Sequence, residues 1–423
     1  MKTFALVVFI AVYVLLLVLP KFRAYVALAA AAIFVVMGIV PAGEAAAAAV
    51  DWNVLLMLFG TMGTVDLFIR SRMPNRLSDY LVRALPSVKA LIIVLALFAG
   101  LVSAFVDNVA TVLMLAPVGL AIAQKLNISP VGMILAIAVS SNLQGAATLV
   151  GDTTSILLGG HMGLDFMDFF SYQGKPGMFW VVQAGAIMTV PVMMILFRKE
   201  NGKIDSDYLT PVSDFVPTVL LVGTVLTLIA ASFLPEKPDL TNGIICVAYL
   251  VIGLVIECVR GHGGGLVKEV LLGIDYVTLM LLAGLFLVIE GINRAGIISD
   301  ISRIIASLGG GNLFLTYTII VWFSVLASAF IDNIPYTATM LPVMGGVAAS
   351  LGVDQTVLCF GLLCGATLGG NLTPVGASAN IAAGGILRKA GYEVSTKQFM
   401  RIGVPFTLAA VMTGYLLVWF LFS

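Results

Sequence analysis

The chain has 423 residues, of which 60% are hydrophobic and 10% are charged, and its mean hydropathy is +1.10. A soluble domain carries about 25% charged residues, so this composition excludes a soluble protein and predicts an all-α polytopic membrane protein. The net charge is zero and basic runs are lacking, which gives no indication of a nucleic-acid partner.

Apolar runs predict the first membrane spans at 4–20, 24–40 and 52–69. Each is close to the roughly 20 residues that cross a bilayer. The run 4–20 lacks an A-x-A cleavage site and is followed by Lys21 and Arg23. We therefore expect an uncleaved first helix rather than a signal peptide.

Residues 90–124 form two apolar arms that meet at Asp107 and Asn108. Each arm has about 16 residues, which is short for a crossing and predicts a re-entrant hairpin. Residues 130–158 are interrupted by SSNLQGAATLVGDTTS, whose glycines and hydroxyl groups predict a broken helix. A continuous span over 178–197 closes this half.

The second half repeats the same order of elements. It predicts spans at 214–234, 240–259 and 275–292, a hairpin over 312–350, a broken helix over 355–387 and a last span at 402–422.

Two polar stretches occur twice in the sequence. SAFVDNVATVLMLAPV (103–118) returns as SAFIDNIPYTATMLPV (328–343), and GAATLVGDTTSI (145–156) returns as GNLTPVGASANI (370–381), each 225 positions later. Polar, glycine-broken segments at matching places of two apolar halves are typical of transporters with inverted repeats. We therefore predict two inverted-topology repeats of five transmembrane helices, each with a re-entrant hairpin and a broken helix.

A third repeated motif, DWNVLLMLFG and later DYVTLMLLAG, aligns Asp66 with Glu290. Ionisable groups at membrane depth cost about 2.5 to 3.5 kcal/mol on insertion scales and are functional candidates for that reason. Asp66 and Glu290 are therefore candidates for proton coupling. The alternative is that each only pairs with an arginine one helical turn away, Arg70 or Arg294.

The lysines and arginines test this topology. With the N-terminus outside, most of them fall on the predicted inner side, and the exceptions are Lys2, Lys175, Lys237, Arg294 and Arg303. This positive-inside bias predicts a multi-pass protein of the inner (cytoplasmic) membrane with both termini outside.

The two Asp-Asn tips are candidate ion sites. One arm of a hairpin ends there with free carbonyls and the other begins with free N–H groups, which makes a small polar socket. Asp107, Asn108, Asp332 and Asn333 can hold a sodium ion or a proton in it. The alternative, which is compatible, is that the two aspartates serve as N-caps.

The broken segments are expected to face the tips with hydroxyl, amide and backbone groups, although a purely structural kink is the alternative. Lysine and arginine are absent from the hairpin arms and from 142–156 and 367–381. A dianion would then meet carboxylates without a fixed cation, so we expect a cation or a neutral solute to bind more readily. The four cysteines lie in apolar segments without metal-ligand spacing and are interpreted as core residues.

These motifs resemble the ion transporter superfamily, most closely the branch of arsenite permeases, the melanosomal P protein and the NhaD-type antiporters, which have a citrate transporter-like domain. The resemblance implies an elevator-like transport domain that moves against a scaffold, in a chain that often forms a homodimer. The implied units are scaffold helices at 1–89 and 214–311, hairpins with broken helices at 90–177 and 312–400, a closing helix with a cytoplasmic linker at 178–213, and a last helix at 401–423.

The resemblance, with the hydroxyl groups of the broken segments, also implies a set of substrate- or ion-binding residues. These are Asp107, Asn108, Thr111, Thr148, Gly151, Asp152, Thr153, Thr154 and Ser155 in the first half, and Asp332, Asn333, Thr337, Thr373, Gly376, Ser378 and Asn380 in the second. The chain departs from relatives in reading GDTTS at 151–155 instead of GDPPN, and Asp-Asn where dicarboxylate carriers have Ser-Asn-Thr. These departures argue against a citrate-like substrate.

The sequence therefore predicts a secondary active transporter, coupled to sodium or protons, that moves a cation or a small inorganic solute such as arsenite. Beyond this coupling ion, no cofactor is expected. A sodium-coupled organic anion symporter is the first alternative. An intramembrane aspartyl hydrolase using Asp107 and Asp332 is disfavoured, because duplicated tips are not needed for a catalytic dyad.

Overall fold

The computed structural model describes residues 1–45, 48–85, 87–126, 128–200, 210–234, 237–260 and 263–423. This part of the chain is mainly α-helical, and its strands are the short antiparallel pair β1 (Ser171–Tyr172) and β2 (Lys175–Pro176). Most of the predicted linker between the halves, 201–209, lies outside the described residues.

The helices follow the two-repeat order of the sequence. In the first half they are α1 (Lys2–Val18), α2 (Arg23–Val36), α3 (Ala42–Ala45), α4 (Trp52–Arg70), α5 (Met73–Ala84), α6 (Val88–Ser103), α7 (Asn108–Lys125), α8 (Val131–Gly145), α9 (Thr153–Met162) and α10 (Met178–Leu196). In the second half they are α11 (Val216–Ala231), α12 (Thr241–Val259), α13 (Gly263–Gly273), α14 (Tyr276–Arg294), α15 (Ile297–Leu308), α16 (Leu313–Ser328), α17 (Asn333–Leu351), α18 (Thr356–Gly369), α19 (Ser378–Lys389) and α20 (Thr396–Phe422).

Both predicted hairpins and both predicted broken helices are present. The hairpins are α6–α7 and α16–α17, and the broken helices are α8–α9 and α18–α19. From α4 to α9, every helix has a counterpart that begins 224 or 225 positions later, from α14 to α19. The chain is therefore an all-α membrane protein of two inverted-topology repeats.

Some predicted elements differ in length from the helices observed. Among the described residues, six helices are long and apolar enough to cross a membrane: α4, α10, α12, α14, α17 and α20. The predicted span 24–40 forms only α2, because the helix ends at Val36 before Gly38, which has a left-handed φ of 68°. The amphipathic helices α5 and α15 were not predicted, and α15 meets α16 at a bend of 114°.

At the centre of the protein, each repeat packs one of its helices on a helix of the other repeat: α2 packs on α14, and α12 packs on α4. Glycines allow both contacts, since a Cβ on Gly284 would lie 2.6 Å from the carbonyl carbon of Ala27, and one on Gly60 would lie 2.3 Å from that of Cys246. These four residues occupy equivalent places, so the two helix pairs have the same register. We call α1, α2, α4, α11, α12 and α14 the central helices.

The hairpins and broken helices form a second packed group. Helix α7 of the first hairpin packs on α19, and α17 of the second hairpin packs on α9. Helices α10 and α20 pack on each other, and both contact α8. The hairpin of each repeat therefore packs on the broken helix of the other repeat.

Candidate functional site

The tip aspartates cap the second arm of each hairpin. The Asp107 carboxylate accepts hydrogen bonds from the backbone N–H groups of Val109 and Ala110, at 3.0 and 3.1 Å. Asp332 accepts one from the N–H of Ile334, at 3.1 Å. The capping role considered for both residues is therefore present, and each carboxylate keeps lone pairs for another partner.

Threonine and amide side chains fix the broken segments to the hairpins in the same way in both repeats. Thr148 donates to the carbonyl of Ala104, and Thr373 donates to the equivalent carbonyl of Ala329. Asn380 donates to Gly370 O at 3.1 Å. Its first-repeat counterpart, Ser155, donates to Gly145 O at 3.5 Å. These bonds satisfy backbone carbonyls at the end of each hairpin's first arm and at the break of each broken helix.

Two glycines let the broken segments approach the hairpin backbone. A Cβ on Gly151 would lie 2.5 Å from Gly145 O and 2.7 Å from Ala104 O. A Cβ on Gly376 would lie 2.6 Å from Gly370 O. Side chains do not fit at these distances, which explains why both repeats have glycine here.

Asparagines join the two repeats inside the protein. Asn142, which is fully buried, accepts a hydrogen bond from Asn108 Nδ2 at 3.0 Å and donates to Thr367 O at 2.9 Å. Asn371 donates to Val139 O at 2.8 Å. The sequence reasoning missed Asn142 and Asn371 because neither has an asparagine at the equivalent position of the other repeat.

Residues from both repeats and from the central helices line one cavity of about 360 Å³. The hairpins and broken segments contribute the predicted residues Asp107, Asn108, Asp152, Thr153, Asn333 and Ser378. The central helices and the residues just before α14 contribute Arg23, Asp66, Asp275 and Thr278. The predicted polar segments therefore meet at one place.

Arg23 corrects an expectation from the sequence. Its Nη1 lies 2.8 Å from Asp332 Oδ2, and its Nη2 donates to Thr278 Oγ1 at 3.3 Å. Thr278 Oγ1 in turn donates to Asp275 Oδ2 at 2.6 Å. The expectation that the carboxylates have no fixed cation nearby is wrong, because α2 begins at the level of the second tip and brings Arg23 to it.

The cavity nevertheless has an excess of negative charge. Its lining includes four aspartates and one arginine. Asp66 is paired with Arg70, whose Nε lies 2.6 Å from Asp66 Oδ2, and Arg70 also pairs with Glu269 through Nη1 at 2.7 Å. The other aspartates around the same cavity are Asp107, Asp152 and Asp275. Such a group of like charges favours a cationic occupant.

Asp66 and Glu290 both form the arginine pairs that were considered as an alternative to proton coupling. The Arg294 Nε to Glu290 Oε1 distance is 2.6 Å, equal to that between Arg70 and Asp66. The two acids have equivalent places in α4 and α14, but Asp66 lines the cavity and Glu290 does not. The two acids therefore have different surroundings in this structure.

The other predicted site residues do not line this cavity. Thr154 donates to Asp152 at 3.0 Å and shares a hydrogen bond with Thr367, and Thr111 donates to Val106 O at 3.3 Å. Ser378, which lines the cavity, donates a hydrogen bond to Asp332 Oδ2 at 3.3 Å. The remaining predicted residues are Thr148, Gly151, Ser155, Thr337, Thr373, Gly376 and Asn380, of which Thr148, Ser155 and Thr337 are fully buried.

The chain is similar to transporters of known families. The model of a family described as "Citrate transporter" matches residues 13–362. An uncharacterized transporter of Mycobacterium tuberculosis, Rv2684, is 33% identical over 99% of this chain and 98% of its own length. The human P protein is 29% identical over 92% of this chain and 56% of its own length.

Two solved structures share the fold. The YdaH transporter of Alcanivorax borkumensis has a TM-score of 0.59 at 17% identity, over 87% of this chain and 84% of its own. MtrF of Neisseria gonorrhoeae, described among antimetabolite efflux pumps, has a TM-score of 0.58 at 16% identity, over 92% and 83%. The matched family and relatives are transporters, so the aspartyl hydrolase alternative is wrong.

Proposed function

Because the chain belongs to the citrate transporter family of the ion transporter superfamily, and is a multi-pass membrane transporter, we propose that it moves a cation or a small inorganic solute such as arsenite, driven by sodium or protons. Secondary transport fits a chain that has no ATP-binding motif in its sequence. We further propose an inner-membrane location with both termini outside, and a homodimer.

The observation that carries the proposal is the charge of the cavity. Asp107, Asp152 and Asp275 line it together, and Arg23 is already paired with Asp332. Two like charges 4 Å apart repel by about 4 kcal/mol at an effective dielectric of 20. A cation or a neutral solute is therefore a better occupant than a bare dianion.

The packing supports an elevator-like movement. The hairpins and broken helices form one group held together by buried bonds, such as those of Asn142, Asn371 and Thr148. Its polar contacts with the central helices and their connecting loops include Arg23 with Asp332, Tyr13 with Pro335 O at 2.8 Å, and Lys237 with Asp165. We propose that the hairpins and broken helices move together as one transport unit, which carries the site across the membrane.

One observation favours the organic anion symporter as a second candidate. Arg23 is a fixed cation at the edge of the cavity, and a guanidinium can bind a carboxylate in a bidentate manner. In such a symporter, the ion pair between Arg23 and Asp332 must break to free the guanidinium, and sodium ions must neutralise the aspartates.

Transport by purified protein in proteoliposomes tests both candidates. We expect uptake or exchange of sodium, protons or arsenite under a sodium or pH gradient. Asp107→Asn serves as the matched inactive protein, because it keeps the shape of the tip. Transport of citrate or succinate that requires sodium would instead establish the second candidate.

A further inference from the structure

Arg23, at the start of central helix α2, forms an ion pair with Asp332, which belongs to the transport unit. The Arg23 guanidinium and the Asp332 carboxylate are both half-buried, with 22% and 24% of their side chains exposed. Tyr13 of α1 adds a second contact to the same hairpin, through Pro335 O and Thr339 Oγ1. Helices α1 and α2 therefore hold the second tip where it now lies.

The internal repeat identifies the residue that has this place in the other half. Gly284 approaches Ala27, and its counterpart Gly60 approaches Cys246, so Ala27 and Cys246 are equivalent. Arg23 and Asn242 each lie four residues before them and are therefore equivalent too. A second pair of contacts gives the same register. A Cβ on Gly291 would lie 2.9 Å from the Phe34 ring. In the other half, Leu67 has the place of Gly291 and Gly253 has the place of Phe34, and a Cβ on Gly253 would lie 2.7 Å from the Leu67 side chain.

The surroundings of Asn242 match those of Arg23. Asn242 lines a second cavity of about 640 Å³ together with Asp51. Asp51 is the counterpart of Asp275, and both aspartates cap the central helix that follows them, through bonds of 3.0 Å. The second cavity therefore has the acid of the first one but an amide where the first has the arginine. The lysine that lines it, Lys237, is paired with Asp165.

We propose that Arg23 is a positioning residue that stabilises one orientation of the transport unit, the one seen here, and that this stabilisation has no equivalent in the opposite orientation. In that orientation the repeat would bring Asp107 next to Asn242, as Asp332 is now next to Arg23. An amide is uncharged and forms no ion pair, so the opposite state lacks the contact. The inference rests on the proposed function, because it requires the unit to move.

Side-specific labelling of Ala110→Cys tests this. Ala110 lines the first cavity and lies on the first tip. The background carries Cys258→Ser, since Cys258 is the exposed one among the four native cysteines. A membrane-impermeant maleimide is added from either side of oriented vesicles, in choline chloride. We expect labelling from the side of the first cavity to dominate in the otherwise native protein.

Arg23→Gln should lower the ratio of first-side to opposite-side labelling by about fivefold or more, a usual size for conformational coupling. Arg23→Lys should change it much less. Lys21→Gln is the matched control, because it removes an exposed cation two residues away. The double variant Arg23→Gln with Asp332→Asn should match the single ones, since both remove the same pair.

Asn242→Arg gives the reciprocal test. It should shift labelling toward the opposite side, because the new guanidinium would face Asp107 there. Equal ratios for Arg23→Gln and Lys21→Gln, or an unchanged ratio in Asn242→Arg, would overturn the role of Arg23 while leaving movement intact. Labelling from one side only, in every variant and in sodium as well as choline chloride, would overturn both this role and the elevator-like movement.

Discussion

At the residue scale, each tip aspartate has a capping role and a charge that can be separated by substitution. Asp107→Asn and Asp332→Asn keep an oxygen that can accept the bonds now made by Val109 and Ile334. We expect both variants to fold with stability within about 1 kcal/mol of the native protein, and to lose coupled transport. Transport in proteoliposomes and thermal unfolding in detergent measure the two effects.

The alanine variants at the same positions provide the comparison. Asp107→Ala loses the cap as well as the charge, and should cost about 1 kcal/mol of stability in addition to transport. Normal transport by the two Asp→Asn variants would mean that the aspartates are caps only. The coupling group would then have to be sought at Asp66, which also lines the cavity.

Asn142 provides a second prediction at this scale. Asn142→Ala removes the acceptor of Asn108 Nδ2 and the donor to Thr367 O. Leaving buried polar groups unpaired costs about 1 to 3 kcal/mol, so the variant should unfold at a lower temperature. Ser350→Ala is the control, because that exposed hydroxyl bonds only within its own helix. Equal unfolding temperatures for the two variants would contradict this.

The residues that the repeat states twice could be identified from the sequence most directly, whereas Asp152, whose counterpart is Ala377, was predicted from the family resemblance. Asp107 and Asp332 are identical in both halves, and so are Thr148 and Thr373, because each half needs the same cap and the same bond to a hairpin carbonyl. Arg23 could not be identified in this way. It lies 309 positions from Asp332 and resembles an ordinary loop cation that follows a first span.

At the element scale, the glycines of the broken segments give the clearest test. Gly151→Ala and Gly376→Ala would push a Cβ into backbone oxygens at 2.5 and 2.6 Å. Overpacking costs about 1 to 3 kcal/mol where the surroundings must shift, so we expect lower unfolding temperatures and a large loss of transport. Gly384→Ala, where a Cβ has open space, is the matched control. Equal behaviour of the three variants would refute the close approach.

The predicted elements were right where glycines and polar residues interrupt an apolar run. The breaks between α8 and α9 and between α18 and α19 are of this kind. Helices α5 and α15 were missed because their apolar residues recur at helical spacing among polar ones, which a search for long apolar runs does not detect. Their place just before each hairpin is nonetheless conserved between the two repeats of this chain.

At the scale of the whole molecule, the constant offset of 224 or 225 predicted two repeats, because equal segments in equal order fold alike. Five crossings in each half, an odd number, predicted that the two repeats are inverted. The repeat does not predict the orientation of the transport unit relative to the central helices. It depends on contacts such as that of Arg23 with Asp332, which join distant parts of the chain and differ between the repeats. An internal repeat predicts the elements but cannot tell which of two related contacts is formed.

The charge of the whole site leads to the last prediction. The aspartates outnumber the arginine in the cavity lining, so sodium or protons should bind without any organic substrate. Apparent sodium affinity should fall as the pH is lowered, by up to about tenfold per unit for each carboxylate that must lose a proton. A thermal-shift titration with sodium chloride over a pH series, against choline chloride, measures this. Asp107→Asn should weaken the stabilisation by sodium. Strong stabilisation by citrate or succinate in the absence of sodium would show instead that Arg23 outweighs the aspartates and that the site is built for anions.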